Sequence, residues 1–288
     1  MTNLLITGGT DGIGRAVALD ALAKGHRVVC VGSSQAKGEA FLRAVTRAGW
    51  AERARFLRAD LRLVSENERV LAEVKQQFDR LDRLILCAQR YETRVGHTSE
   101  GVERNFALSY LSRHLLAYGL VDELRRAREP LVVNVCGTGT PVGRIHFDDL
   151  QYVSRRGGLG ALLQAARASD LLGVAFSRSA KTTGIRFVLY NPDVVRTNLQ
   201  RELSQPWRTL AMVALALRGK PVEEGVRPLL RLLDDPPHER LTAYRGEHRI
   251  DMTSRTYARC YDPVTADRLQ AATADLLAAL ARTDSAPG

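Results

Sequence analysis

Short apolar runs recur along this chain, separated by longer stretches in which apolar residues return every three or four positions. The runs Asn3–Thr7, Arg27–Val31, Ala54–Leu57, Arg83–Cys87, Leu131–Cys136 and Arg186–Tyr190 are nearly continuous in apolar residues. That pattern predicts parallel strands buried on both faces. Between them, Gly12–Lys24, Ala36–Ala48, Ser65–Phe78, Glu100–Leu124 and Gly158–Ser179 carry the spacing of amphipathic helices. Strand and helix alternating over short links predict a doubly wound α/β sheet. A helix at Val222–Leu233, a strand at Leu241–Tyr244 and a helix at Pro263–Ala281 complete the pattern. The stretch 195–220 breaks the rhythm where a substrate lid would lie, and 284–288 reads as a flexible tail. With no repeat and no linker, residues 1–288 are expected to form a single domain.

Composition changes this picture little. A chain of 288 residues, 45% of them hydrophobic, can bury a substantial core. The net charge of +10 raises nucleic acid as a partner, but only five of the 42 basic residues are lysine and the arginines are interleaved with acids. No recognition motif accompanies them, so nucleic acid is not expected. No stretch approaches twenty apolar residues and no leader pattern opens the chain, so neither membrane nor export is expected and the setting is expected to be cytoplasmic. Cys30, Cys87, Cys136 and Cys260 lack metal-binding spacing and the six histidines are scattered, so no metal site is expected. The dominance of Ala, Arg, Leu and Val is what a GC-rich bacterial gene would show.

Chemistry enters with Thr7-Gly8-Gly9-Thr10-Asp11-Gly12-Ile13-Gly14, directly after the first strand and opening the first helix. Glycines there let the backbone approach a pyrophosphate, and the helix N-terminus offers unpaired N–H groups. The element resembles the TGxxxGxG turn of the short-chain dehydrogenase/reductase superfamily, and the likeness runs along nearly the whole chain. The resemblance implies a Rossmann-type fold and a dinucleotide held by Gly8, Thr10, Asp11, Gly12, Ile13, Gly14 and Arg15. It also brings in Asp60-Leu61 at the adenine, Cys87-Ala88-Gln89 in place of Asn-Ala-Gly, and Pro192, Val195 and Thr197 at the nicotinamide. Asn134-Val135-Cys136-Gly137 followed by Gly143-Arg144-Ile145-His146-Phe147 is most similar to the retinol dehydrogenase-like branch. After the second strand, Gly32-Ser33-Ser34 replaces the acid that would hold a free ribose, with Arg15 and Lys37 within reach. Hydroxyls and cations favour NADP(H) over NAD(H); alternatively, Ser33 and Ser34 cap the next helix.

The usual proton-transfer set of this superfamily is Asn on a helix, Ser after the fifth strand, and Tyr and Lys four apart on the next helix. Here the positions fall on Ser109, Gly137, Leu163 and Arg167, or with a one-residue slip on Leu162 and Ala166 in the helix, so on either alignment all four have changed. Tyr152-Val153-Ser154-Arg155-Arg156 imitates the Tyr–Lys spacing, but Gly157, Gly158 and Gly160 follow at once and predict a loop, from which Tyr152 could still swing over the site as an acid. Arg167 cannot titrate against a tyrosine, yet it could hold a ribose or stabilise a substrate oxygen. Thr138 and Thr140 could supply the lost hydroxyl or form a turn. Tyr110 is a candidate acid or a core aromatic, and Cys136 a thiol acid or a buried structural cysteine. Asp148-Asp149 reads as solvated or capping, and Asp193 as a substrate contact or part of an Asx-turn.

Three functions stay open. The first is an NADP(H)-dependent reductase of a conjugated carbonyl, quinone or similar small molecule in bacterial natural-product biosynthesis. The second is a non-redox isomerase, cyclase or dehydratase on the same fold. The third is a nucleotide-binding protein without chemistry. The resemblance further implies a homodimer or homotetramer.

Overall fold

The computed structural model describes residues 1–193 and 221–284. The apolar runs form β1 (Asn3–Thr7), β2 (Arg27–Gly32), β3 (Ala54–Arg58), β4 (Arg83–Leu86), β5 (Leu131–Val135), β6 (Arg186–Asn191) and β7 (Leu241–Arg245). A two-residue strand, β8 (His248–Arg249), adds to the edge; its polar pair carries no apolar signal from which it could be predicted. The sheet order is β3-β2-β1-β4-β5-β6-β7-β8, parallel from β1 to β7, with β8 antiparallel. Chain direction around the sheet reverses between β1 and β4, which opens a crevice at the carboxyl ends of these strands.

The helices are α1 (Gly12–Ala23), α2 (Gln35–Arg47), α3 (Val64–Gln77), α4 (104–119), α5 (Val121–Arg125), α6 (Gly158–Arg178), α7 (Arg227–Asp234) and α8 (Pro263–Asp284). Alternate strand residues feed two cores. Leu5, Val29, Leu84, Val132 and Phe187 pack against α3, α4, α6 and α8. Leu4, Ile6, Val28, Ile85, Val133 and Val188 pack against α1, α2 and α7. This two-sided burial is why the strands read as continuous apolar runs. Helix α6 is long and apolar enough to cross a membrane by composition, but 72% of its apolar window is buried inside the fold.

Several expectations change. The helix expected at Val222–Leu233 breaks at Val226 into a short helical turn, Val222–Gly225, and α7. The helix expected at Glu100–Leu124 starts at Arg104, because the Glu103 carboxylate caps it by accepting from the Phe106 N–H at 2.8 Å. It then passes through a π turn at Ala107–Leu111, and the chain breaks at Leu120 before α5. The last helix continues past Ala281 to Asp284. The proposed lid at 195–220 and residues 285–288 of the tail lie outside the described residues.

Candidate active site

The glycine turn is built as a cradle for a dinucleotide. Gly8 (φ +66°) and Gly12 (φ +50°) adopt left-handed backbone. A Cβ on Gly8 would lie 2.9 Å from the Ala88 nitrogen, and one on Gly14 would strike the Gly8 carbonyl. β1 and β4 therefore approach as closely as their backbones allow, and α1 sits directly over the turn. The Asp11 carboxylate caps α1 by accepting from Gly12 N–H at 2.8 Å, and the Asp11 carbonyl accepts from Arg15 N–H at 3.1 Å. The Ile13 and Gly14 amides between them are those a helix leaves without an intrahelical acceptor. These features fit a pyrophosphate. Ile13 itself is buried in the core, so it can serve only through its backbone.

Around this turn the structure gathers the predicted contacts from four strand ends. Thr10 is buried against Gly32, whose Cβ would lie 2.9 Å from its hydroxyl. Ser33 is exposed, while the Ser34 hydroxyl accepts from Lys37 N–H at 3.4 Å and so caps α2. Lys37 Nζ reaches Asp11 at 2.6 Å, so its charge first neutralises the acid in the phosphate turn. Asp60 is gripped by Arg62 through two contacts (3.0 and 2.7 Å), which hold its carboxyl below the usual carboxylate range. Leu61 is buried in the core and can offer only backbone. Ala88 donates to the Thr7 hydroxyl at 3.1 Å, and Cys87 N–H donates to the Thr7 carbonyl at 3.2 Å. Gln89 is held between Ser109 (3.0 Å) and Arg113 (2.7 Å). Pro192 stands at the end of β6; Val195 and Thr197 lie outside the described residues.

The tetrad positions come out differently. Gly137 is partly exposed and a Cβ there meets nothing within 4 Å, so the lost serine leaves open space. Leu163 turns its carbonyl to the loop after β5, where a Cβ on Gly143 would strike it. Arg167 corrects the expectation that it serves substrate or ribose. It is 4% exposed, pairs with Asp170 at 2.9 Å, and donates to the carbonyls of Thr140 (2.8 Å) and Val142 (3.0 Å). Longer bonds of 3.4 Å run to Gly143 and Cys260. Its guanidinium fork is spent on binding the 140–143 loop over the face of α6 that the resemblance assigns to catalysis. Ser109 lies in the π turn, and the asparagine of α4, Asn105, stands one turn earlier, bonded to both backbone groups of Glu92 (3.1 and 3.0 Å).

The other candidates are largely structural. Tyr110 is 1% exposed, bonds Thr273 at 2.7 Å and stacks on Phe106, so it belongs to the core. Tyr152 lies in the expected loop, but buried, left-handed (φ +52°) and edge-on to His146. Asp193 (φ +61°) donates its N–H to the Asn191 side chain at 3.0 Å, closing an Asx-turn, and its carboxylate pairs with Arg245 at 3.1 Å. Asp149 caps the backbone of Val153, Ser154 and Arg155. Thr140 closes its turn by donating to the Gly137 carbonyl at 2.8 Å. Thr138 is fully buried and shares a 2.7 Å bond with the Tyr261 hydroxyl. Beside them, burial pushes the Asp170 carboxyl up to about 7 against the opposing pull of Arg167.

Sequence reasoning missed two residues at this site. Arg113 on α4 is 2% exposed and reaches the ends of both β4 and β5. Tyr91, just beyond β4, lies within the field of that guanidinium. Neither carries a motif; an arginine within a helical pattern reads as a solvent-facing residue.

The comparisons agree with this architecture. The family profile described as short chain dehydrogenase matches residues 2–207. Human Retinol dehydrogenase 13 is 25% identical over 199 residues, 69% of this chain and 60% of that protein, so the match spans less than two thirds of this relative. Human Retinol dehydrogenase 12 is 28% identical over 240 residues, 78% of this chain and 75% of that protein. The solved structure of an NADPH-bound carbonyl reductase from chicken fatty liver superposes with a TM-score of 0.63 at 16% identity, covering 87% of this chain and 98% of that one. This chain belongs to the short-chain dehydrogenase family, near its retinol dehydrogenase branch.

Proposed function

We propose that this chain is an NADP(H)-dependent reductase of a conjugated carbonyl, a quinone or a similar small molecule. The observation that carries the reading is the contrast within one crevice. The glycine cradle is complete, while α6 presents the apolar Leu163 and the fully engaged Arg167 where a tyrosine and a lysine would act. When bound, the dinucleotide supplies a hydride to the substrate carbon. Gly8, Gly12 and the α1 amides would hold its pyrophosphate. An acceptor that spreads its negative charge makes little demand on an acid, and that is the substrate class this site suits.

Preference for NADP(H) is supported by the absence of an acid at the end of β2, where Ser33 is exposed. The carbonyl reductase bound to NADPH shares the fold. By association with a GC-rich bacterial composition, the reading extends to natural-product biosynthesis in the cytoplasm. Exposed Val142 (53%), Val153 (76%) and Leu159 (55%) around the start of α6 support pairing of copies into a dimer or tetramer. The test is a nicotinamide-fluorescence titration with NADPH and NADH. Saturable binding, tighter for NADPH, is expected; binding of neither cofactor overturns the reading. The alternative is a non-redox isomerase, cyclase or dehydratase built on the same glycine cradle, with no net hydride transfer. Turnover at substoichiometric cofactor would identify it.

A further inference from the structure

We propose that Tyr91 is the proton donor of this site and that Arg113 is the positioning residue that supports it, from β4 and α4, in place of the pair that α6 lacks. The proposal rests on the reductase reading above.

The argument starts from Arg113. One terminal nitrogen donates to the Asn134 side chain and, at 2.8 Å, to the Val135 carbonyl. The other donates to the Ala88 carbonyl at 2.9 Å and to Gln89 Oε1 at 2.7 Å, while Nε has no partner. Every one of these acceptors is neutral, and among the described residues Arg113 has no ion pair. A buried cation without a counter-ion is expensive, and its neutral hydrogen bonds only partly offset the lost hydration. Positive charge at this point needs a reason other than packing.

The titratable groups that face it are Tyr91, Cys87 at the end of β4 and Cys136 at the end of β5. Burial pushes both thiols up to about 12, and a thiol is a weak hydrogen-bond donor. The phenol is the better acid. Tyr91 is also held in place from both sides. Gln89 is pinned to Ser109 and Arg113, and Glu92 is pinned to Asn105 through its N–H (3.1 Å) and carbonyl (3.0 Å). Both anchors lie at or beside the π turn of α4, a distortion that recurs at functional sites. Tyr91 is left between them, partly exposed, at the carboxyl end of β4. Burial raises its pKa and Arg113 pulls it part of the way back, so the phenol keeps its proton near neutrality and the guanidinium offsets part of the cost of its anion.

The step balances. As hydride adds to the conjugated carbon of the acceptor, its C=C π pair forms the new double bond to the carbonyl carbon, the C=O π pair moves onto oxygen, and that oxygen takes the proton from the Tyr91 hydroxyl. The Tyr91 phenolate, held by the charge of Arg113, recovers a proton from water.

Two readouts test this. Without cofactor, the tyrosinate absorbance of wild type minus Tyr91→Phe isolates the Tyr91 titration. Arg113→Gln is expected to raise its midpoint by about one to three pH units, and Arg113→Lys to restore it. Equal midpoints in wild type and Arg113→Gln overturn the pairing. If Arg113→Gln does not fold, Tyr91→Phe decides with menadione and NADPH. The expected result is a kcat about tenfold lower with KM and NADPH affinity little changed, since a charge-spreading acceptor leans on the acid less than an isolated carbonyl would. An unchanged kcat overturns the proposal. A wild type that consumes no NADPH with menadione or a conjugated enone counts against the reductase reading, while the tyrosinate titration still decides the Tyr91–Arg113 pairing.

Discussion

Around β1 and α1 the crevice is made by backbone: two left-handed glycines, a third that cannot carry a Cβ, and the first amides of a helix. Around β5 and α6 it is made by side chains, and there the chain has turned groups inward. Arg167 grips its own loop, Thr138 bonds Tyr261, and Leu163 supports Gly143. The two halves share one sheet and one register, so the fold does not require the catalytic side chains. The glycine turn has no such freedom, because its glycines serve close strand contact and ligand approach together. A site built of backbone therefore survives where a site built of side chains can be rewritten.

The comparison can be broken or sharpened experimentally. The largest effect is expected from Arg167→Ala, which leaves the Asp170 carboxyl buried without its cation, so that it takes up a proton, and frees the carbonyls of the 140–143 loop. Denaturant unfolding should show a loss of about 3–5 kcal/mol, with NADPH affinity nearly unchanged in the folded fraction. A large loss of affinity with intact stability would return Arg167 to the ribose. Next comes acid. His114, packed between Tyr110 and Tyr118 behind the catalytic half, has its pKa lowered to about 4 by burial. Between about 6.5 and 4 the unfolded chain binds a proton that the folded chain refuses, so stability falls as pH drops through that window, by about 3 kcal/mol from this group. Urea midpoints against pH should show that slope, reduced in His114→Leu.

Gly14→Ala tests the other half. Its Cβ would press on the Gly8 carbonyl and open the turn, so NADPH affinity should fall at least about 30-fold, roughly 2 kcal/mol, by fluorescence titration. Unaltered binding would show that the cradle is not the cofactor site. The smallest effect belongs to Lys37→Ala, which removes the lysine cation from Asp11 at the phosphate turn. Both partners are exposed, so the loss should not exceed about 1 kcal/mol in NADPH binding. A larger loss for NADPH than for NADH would place Lys37 at the 2′-phosphate.

Much of this was readable beforehand for a physical reason. β1 to β7 appear in the sequence because burial on both faces demands continuous apolar residues, and the glycine turn appears because left-handed and crowded backbone positions admit little else. β8 and the π turn of α4 do not appear, since neither imposes a residue type. The candidate acids failed for a related cause. Tyr110 and Tyr152 are the right residue in the wrong surroundings, one bonded to Thr273 and the other folded against α6. Arg113 looked like a helix-surface cation until the carboxyl ends of β4 and β5 closed around it.

By itself, then, the sequence determined the doubly wound sheet, the glycine turn that opens its first helix, and the identities Ser109, Gly137, Leu163 and Arg167 at the positions the resemblance assigns to proton transfer. These follow from local rules of burial period, backbone conformation and residue identity. Only the tertiary structure decided that Arg167 is a loop clamp, that Lys37 answers Asp11, and that Arg113 is buried across the ends of β4 and β5. Charge and acidity depend on which distant groups meet in a medium of low polarity, and that meeting is a property of the folded chain.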